Sequence, residues 1–230
     1  MTKLDVLNHI REVYSELEKQ HPHKLEDEEY GIGADRPDLW FLACLCWIAR
    51  TDEVQRNLWD KVKINFMEHY NGDIRNIKTE KDCKKLGYPE RFVPYRWLPN
   101  LSKYLDEEGI SFREFLKMMG SRTGIEIRDE FIDILKIGGN KAKRISVFIR
   151  DYPNWKKNVF PIDSNVDKML KHLGLPNDEE IMVHLCEKAN VSPRLFERLL
   201  YEHGKEVCGH GKTCSINKIC LCNKIGLNRC

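Results

Sequence analysis

The most informative pattern in the chain lies in residues 131–174, FIDILKIGGNKAKRISVFIRDYPNWKKNVFPIDSNVDKMLKHLG. Apolar residues recur at helical spacing up to Ile137 and again from Ile145, and the turn GGNK at 138–141 separates the two runs. Glycines in such a turn supply positive φ, and the backbone N–H groups that open the second helix can hold a phosphate without reading base sequence. The pattern predicts a helix-hairpin-helix at about residues 128–151, although Gly-Gly turns also join ordinary helix pairs.

Further along, the segment PIDSNV at 161–166 places Asp163 where another helix begins. An aspartate at this position is a good N-cap, because its side chain can accept hydrogen bonds from the first backbone amides of the helix. Taken alone, Asp163 is best interpreted as an N-cap. A second role depends on what surrounds it.

Nearly every other segment also has helical periodicity. Apolar stripes run from Leu4 to Leu17 and from Val54 to Phe66, and both are expected to face the core. Residues 39–49 are apolar on nearly all sides, as expected of a central helix enclosed by others. No alternating run is long enough to predict a sheet. The predicted fold class is therefore all-α.

Cap residues predict several helix boundaries. Ser192 followed by Pro193 predicts a helix start, and Gly174 and Gly204 predict helix ends. The proline-rich segment at 85–105 predicts a structured loop that leads into a helix near Leu98–Glu107.

Composition excludes several classes of protein. The 230-residue chain has 41% hydrophobic residues, which is typical of a globular protein and not of a disordered one. No apolar run approaches the ~20 residues of a membrane span, and charges interrupt the N-terminal segment where a signal peptide would be apolar. We therefore expect an intracellular protein, cytoplasmic or nucleoid-associated, without a membrane partner. The net charge of +2 does not by itself indicate nucleic-acid binding.

Five of the nine cysteines lie in the last 23 residues, with the spacing C-x5-C-x5-C-x-C-x7-C. Disulfides are disfavoured in a reducing compartment, so this cluster is expected to bind metal. Four thiolates satisfy either a [4Fe–4S] cluster or tetrahedral zinc. By contrast, Cys44 and Cys46 lie in the apolar segment and are expected to be small buried residues. The candidate ligands are four of the five residues Cys208, Cys214, Cys220, Cys222 and Cys230.

Three segments match, in order, the motifs of one family. IGGNKAKRISVFIRD at 137–151 looks like its hairpin with the second helix, and PIDSNVDKML at 161–170 looks like its Pro-Val-Asp-Thr-His-Val segment. HGKEVC at 203–208 is similar to the His-Gly-Arg-Tyr-Thr-Cys run that opens its iron–sulfur loop, and residues 37–62 show weaker similarity to its first core helix. The chain thus resembles the endonuclease III and 8-oxoguanine glycosylase superfamily of helix-hairpin-helix DNA glycosylases over most of its length from Pro37 onward.

The resemblance implies a two-lobed helical bundle with a helix-hairpin-helix and a C-terminal Cys-rich metal loop. One lobe would combine residues 1–36 with about 160–230, including the metal loop at 208–230, and the other would span 37–159. It implies a structural [4Fe–4S] cluster, but the family spaces its ligands C-x6-C-x2-C-x5-C, so zinc stays the alternative. The implied partner is double-stranded DNA with a damaged or mismatched base, bound by a monomer.

The resemblance also suggests which residues contact the DNA. Arg50, after the central helix, is a candidate for the side chain that fills the gap left by a flipped base, or is an ordinary helix-end arginine. The residues expected to contact the backbone are Gly138, Gly139, Asn140, Lys141 and Lys212.

Family members that also cut the strand carry a lysine early in the second hairpin helix, and Lys141 and Lys143 compete for this role. With Lys143 at the family position, the apolar residues of the second helix fall on core positions, whereas the other register places Lys143 and Ser146 in the core. The separation from Asp163 also favours Lys143, although the turn then departs from the family pattern. We predict that Lys143 is the nucleophile and that Lys141 contacts the DNA backbone. The alternative for Lys143 is an ordinary solvated lysine at a basic helix end.

The chemistry requires these residue types. A lysine amine is nucleophilic only when neutral, a state that burial near other cations favours. It can attack the anomeric carbon, expel the base and form a Schiff base whose β-elimination breaks the strand, while Asp163 stabilises positive charge on the sugar. The predicted activity is therefore that of a DNA N-glycosylase and AP lyase in base excision repair. The alternatives are a monofunctional glycosylase in which Asp163 activates water, and a non-catalytic DNA-binding protein.

Overall fold

The computed structural model describes residues 3–22, 32–46, 52–89, 94–137, 142–208 and 214–220. Within these residues every regular element is helical, which confirms the predicted all-α class. None of the described helices is both long and apolar enough to cross a membrane. The α-helices are α1 (Lys3–Gln20), α2 (Pro37–Cys46), α3 (Asp52–Tyr70), α4 (Glu80–Leu86), α5 (Pro94–Glu107), α6 (Phe112–Met119), α7 (Gly124–Leu135), α8 (Lys143–Asp151), α9 (Ser164–Leu173), α10 (Glu179–Lys188) and α11 (Pro193–Glu206), and a short 3-10 helix spans Ile74–Asn76.

The chain divides into two compact units. The terminal unit combines Met1–Glu28 with Lys157–Cys230, and the central unit comprises Glu29–Lys156. Helices α2 to α8 therefore belong to the central unit, and α1 with α9 to α11 to the terminal unit.

The core of the central unit is built around α2, in which every residue is buried except Asp38, which is half-buried. This is the expected environment of a helix that is apolar on all sides. Helix α2 packs against α3, α6 and α8. The Phe41 ring of α2 contacts Phe131 of α7 and Phe148 of α8, with ring centroids 5.6 and 5.2 Å apart. These contacts hold both helices of the predicted hairpin against one aromatic core.

Capping residues explain where many helices begin and end. Thr79, Ser111 and Thr123 each open a helix with a capping box, in which side chain and backbone exchange hydrogen bonds across the first turn. The predicted boundaries at Ser192, which caps α11, and at Gly174, which ends α9 with φ +66°, are confirmed.

Some helical expectations are wrong at the helix ends. Helix α5 begins at Pro94 and not near Leu98, because a proline in the first helical position removes an N–H that has no intrahelical partner anyway. Leu4 and Val54 are 65% and 39% exposed, since they lie in the first turns of α1 and α3, ahead of the buried part of each stripe.

In the terminal unit, α9 and α11 pack along each other at Gly204. The prediction that Gly204 ends a helix is wrong, because α11 continues through it to Glu206. A Cβ atom at Gly204 would lie 2.8 Å from the backbone carbonyl oxygen of Asn165 and 3.1 Å from Cγ of Met169, both on α9. Glycine is needed here by the close approach of two helices and not by helix termination.

Candidate functional site

The first helix of the predicted hairpin, α7, ends with a specific backbone cap, whereas the second, α8, begins without a side-chain cap. Lys136 ends α7 in the left-handed conformation, with φ +54°, and the Ile137 N–H donates to the Ile132 carbonyl at 3.0 Å. Helix α8 begins at Lys143 after Ala142, which has no side-chain acceptor to cap the first amides. A helix start without a side-chain cap is compatible with phosphate binding. The turn residues Gly138, Gly139, Asn140 and Lys141 lie outside the described residues.

Lys143, the predicted nucleophile, is exposed at the start of α8. The burial expected of a nucleophilic lysine is therefore not present. Ile145, Phe148 and Ile149 are buried, in agreement with the register that keeps Lys143 out of the core. Ser146 is fully buried as well, contrary to that register, because the face that α8 turns to the core is wide enough to include the position after Ile145.

Asp163, the predicted acid, is the N-cap of α9. Its Oδ1 accepts hydrogen bonds from the backbone amides of Asn165 and Val166 at 2.8 and 2.9 Å. The carboxylate is half-buried. In the part of the chain that the structure describes, its second oxygen, Oδ2, accepts no hydrogen bond. Asp163 thus has the structural role that its position predicts and retains one oxygen that this role does not use.

Two of the predicted metal ligands lie against one residue of α9, His172. The Sγ atom of Cys208 is 3.2 Å from His172 Nδ1, and the Sγ atom of Cys220 is 3.5 Å from the His172 carbonyl oxygen. Both cysteines are buried. Lys168 fixes the backbone beside them, because its ammonium group donates to the carbonyls of Gly204 and Cys208 at 2.7 and 3.1 Å.

A third predicted ligand, Cys214, lies against α11. Its Sγ atom is 3.3 Å from Nε2 of His203, whose Nδ1 is 3.3 Å from Nε2 of His21. His203 is fully buried, and its burial, with His21 and Lys168 nearby, lowers its pKa to about 4. Burial and Lys168 also lower the pKa of His172. Both rings are therefore neutral at physiological pH, with one N–H group each.

The segment after Cys214 is tied to the rest of the terminal unit. Ile216 is fully buried, and the Cys220 N–H donates to the Ile216 carbonyl at 2.9 Å. The Ser215 hydroxyl donates to the Gln20 side chain of α1. These contacts hold the described part of the cysteine-rich loop on α1, α9 and α11.

The donor chemistry of this loop fits a thiolate-bound metal. Cys208, Cys214 and Cys220 supply soft sulfur donors, and imidazoles lie within hydrogen-bonding distance of two of the sulfurs. Among the residues that the structure describes, no three His, Cys, Asp or Glu side chains have the spacing of a metal site. Cys222 and Cys230, the remaining candidates, lie outside the described residues.

Of the remaining predictions for individual residues, some are confirmed and others concern residues that the structure does not describe. Cys44 and Cys46 are buried in α2, as predicted, and burial raises the pKa of Cys46 to about 12. Arg50 and Lys212 lie outside the described residues. Sequence reasoning identified neither His172 nor His21 as a neighbour of the cysteine loop, and it noted His203 only as the first letter of a motif.

Long sequence separation explains why these histidines were missed. His172 precedes Cys208 by 36 positions, and His21 and His203 are 182 positions apart. The one local signal is the placement of His203 on the helix that leads directly into Cys208.

No protein-family model matches this chain, and a search of curated proteins finds no match either.

Proposed function

We propose that the protein is a DNA glycosylase with AP lyase activity, which flips a damaged base out of duplex DNA, excises it and cleaves the strand. The observation that carries the proposal is the state of Asp163, whose Oδ1 caps α9 while Oδ2 accepts no hydrogen bond within the described residues. The cap fixes the carboxylate in place, and the second oxygen is left to face a ligand. Ala142, which provides no side-chain cap for α8, supports a second contact with a DNA phosphate.

Lys143 is the proposed nucleophile. Its neutral amine attacks the anomeric carbon of the flipped nucleotide, and the glycosidic bond breaks with its electron pair leaving on the base. Loss of a proton from the nitrogen and opening of the sugar ring give a Schiff base. Removal of the C2′ proton then expels the 3′ phosphate by β-elimination, and water hydrolyses the Schiff base to free the lysine. Because Lys143 is exposed, the burial expected of a nucleophilic lysine has to come from the bound nucleotide.

Asp163 is proposed to act on the sugar. Breaking the glycosidic bond leaves positive charge on the ring oxygen and the anomeric carbon, and a fixed carboxylate stabilises this charge. The same group can also help to transfer protons during the reaction. An N-cap is well suited to this role because its hydrogen bonds to Asn165 and Val166 hold the carboxylate in one position before the substrate arrives.

The metal centre is proposed to be structural. Four of the five residues Cys208, Cys214, Cys220, Cys222 and Cys230 would hold a [4Fe–4S] cluster or zinc. When bound, the metal would fix the shape of the loop and supply no step of the bond-breaking chemistry. The loop residue Lys212 would then face the DNA backbone.

A monofunctional glycosylase is the second candidate. The observation that favours it is the exposure of Lys143, because a nucleophilic lysine is expected to be buried. In this case Asp163 would activate a water molecule, which attacks the same anomeric carbon, and the strand would stay intact.

Borohydride trapping separates these candidates. The protein is incubated with duplexes that each contain one damaged base or an abasic site, and sodium borohydride reduces any Schiff base to a stable protein–DNA adduct. Lys143→Gln should abolish the adduct and keep DNA binding, whereas Asp163→Asn should slow base release by at least about 100-fold. Lys117→Gln, a change at an exposed lysine on α6 of the central unit, is the matched control.

Other outcomes assign the function differently. If Lys141→Gln abolishes the adduct and Lys143→Gln does not, the register of the hairpin is wrong by two residues. Base release that needs Asp163 and neither lysine supports the monofunctional enzyme. Binding to duplex DNA without processing of any lesion would overturn the glycosylase proposal in favour of a DNA-binding protein.

A further inference from the structure

Two cysteine sulfurs of the terminal unit lie beside buried or half-buried imidazole nitrogens. Cys208 Sγ is 3.2 Å from His172 Nδ1, and Cys214 Sγ is 3.3 Å from His203 Nε2. These two histidines come from different helices, α9 and α11, and each reaches a different cysteine. Each of these sulfurs thus has an imidazole partner, which a cysteine that serves only as a small apolar residue does not need.

The hydrogen-bond pattern fixes the direction of each contact once the sulfur binds metal. A metal-bound cysteine is a thiolate, which has no proton to donate, so the nitrogen that faces it must carry the hydrogen. His203 then donates through Nε2, and its Nδ1 is an acceptor. His21 Nε2, which is 3.3 Å from this Nδ1, must therefore be the donor in that pair. One tautomer of each ring satisfies the whole chain from His21 through His203 to Cys214.

The distances from sulfur to nitrogen match hydrogen bonds more closely than direct metal binding by the rings. A metal bound tetrahedrally to both atoms would hold sulfur and nitrogen roughly 3.6 Å apart, given zinc bond lengths of about 2.3 and 2.0–2.1 Å. The observed separations of 3.2 and 3.3 Å are those of hydrogen bonds between nitrogen and sulfur. Contacts of this length favour histidines that donate hydrogen bonds to the ligands over histidines that bind the metal.

We infer that His172 and His203 are positioning residues of the metal centre, which donate hydrogen bonds to the thiolates of Cys208 and Cys214, and that His21 orients the His203 ring. This inference rests on the proposed metal centre. Donors to a coordinated sulfur spread its negative charge and hold its side chain in one rotamer, so that the metal is released more slowly. Lys168 acts in the same direction, because its ammonium group holds the Cys208 carbonyl beside His172.

The test compares variants that keep the donor with variants that remove it. Asparagine places an N–H group near the position of Nδ1, and glutamine places one near Nε2. We therefore compare His172→Asn with His172→Leu, and His203→Gln with His203→Leu. His184→Leu, at an exposed histidine on α10 of the same unit, is the control. Iron and zinc in each purified full-length protein are measured by elemental analysis, before and during incubation with excess EDTA.

The inference predicts that the leucine variants lose metal about 10-fold faster than the unmodified protein, while the asparagine and glutamine variants and the control lose it at close to the original rate. Circular dichroism checks that each variant is folded, and if His203→Leu is not, the His172 pair decides. Leucine variants that retain metal as the unmodified protein does would overturn the inference. Loss from the asparagine and glutamine variants as fast as from the leucine variants would also overturn it, in favour of direct ligation or packing.

A protein that contains neither iron nor zinc as purified would overturn the inference together with the metal centre. Such a result leaves the glycosylase proposal to the borohydride assay, which depends on Lys143 and Asp163 and not on any residue changed here. Conversely, the donor variants can behave as expected in a protein that fails to process damaged DNA. The two failures are therefore distinguishable.

Discussion

Replacing Gly204 by alanine tests the packing of α11 against α9. Helix α11 leads into the cysteine loop, and Asp163 caps α9. The added Cβ atom would lie 2.8 Å from the Asn165 carbonyl oxygen, compared with the 3.4 Å at which ordinary contact begins. Because this oxygen belongs to the backbone of α9, no side-chain rotation can relieve the overlap. Helices α9 and α11 must instead separate by roughly half an ångström, which is overpacking of the usual kind.

The magnitude follows from two opposing effects. Overpacking a well-packed contact costs about 1–3 kcal/mol. Alanine in place of glycine inside a helix returns up to about 1 kcal/mol of helix propensity. We therefore expect Gly204→Ala to lower the free energy of unfolding of the terminal unit by up to about 2 kcal/mol, because the overlap outweighs the gain in helix propensity. Lys205→Ala, at the exposed neighbour on the same helix, should stay within about 0.5 kcal/mol of the original protein.

The assay is urea unfolding followed by far-ultraviolet circular dichroism, with both variants and the original protein measured in parallel. A second readout is base release, because Asn165 lies in the first turn of the helix that Asp163 caps, and a displacement of this size should slow that step about 10-fold. A Gly204→Ala protein as stable as the original, or more stable, would refute the reasoning, since the gain in helix propensity would then be unopposed by any clash.

Three further predictions concern single residues. Cys208→Ser should remove most of the bound metal and lower stability, whereas Cys44→Ala should keep the metal. The measurement is elemental analysis, and equal metal content in both variants would exclude Cys208 as a ligand. Burial raises the pKa of Asp38 to about 6, so the folded state binds a proton more tightly than the unfolded state and stability should fall as pH rises from about 4 to 6. Asp38→Asn keeps the acceptor for the Ile74 N–H and should reduce this decline. Its free energy of unfolding at pH 7, measured by urea unfolding, should rise by at most about 3 kcal/mol. An unchanged pH profile would contradict the prediction. Lys212→Ala should reduce the salt dependence of DNA binding by about one counterion, and an unchanged slope would exclude this lysine from the interface.

The fold class and many helix boundaries could be predicted from local patterns in the chain. Helical periodicity depends on residues three and four positions apart, so it can be read without tertiary information. The same holds for caps such as Ser192 and Gly174, because a cap acts on amides or carbonyls within its own turn. The N-cap role of Asp163 was likewise readable from its position, whereas the catalytic roles of Asp163 and Lys143 stay predictions.

Other features depend on contacts between helices and could not be predicted from local patterns. Gly204 has the residue type of a helix end, yet it lies within α11 because α9 passes too close for any side chain. Ser146 is polar, but the wide buried face of α8 encloses it. The contact between His172 and Cys208 joins residues 36 positions apart, and it exists only because α9 packs along the helix that leads into the cysteine loop. Periodicity and capping act within one turn of the chain, whereas these positions are determined by which backbone lies next to them in space.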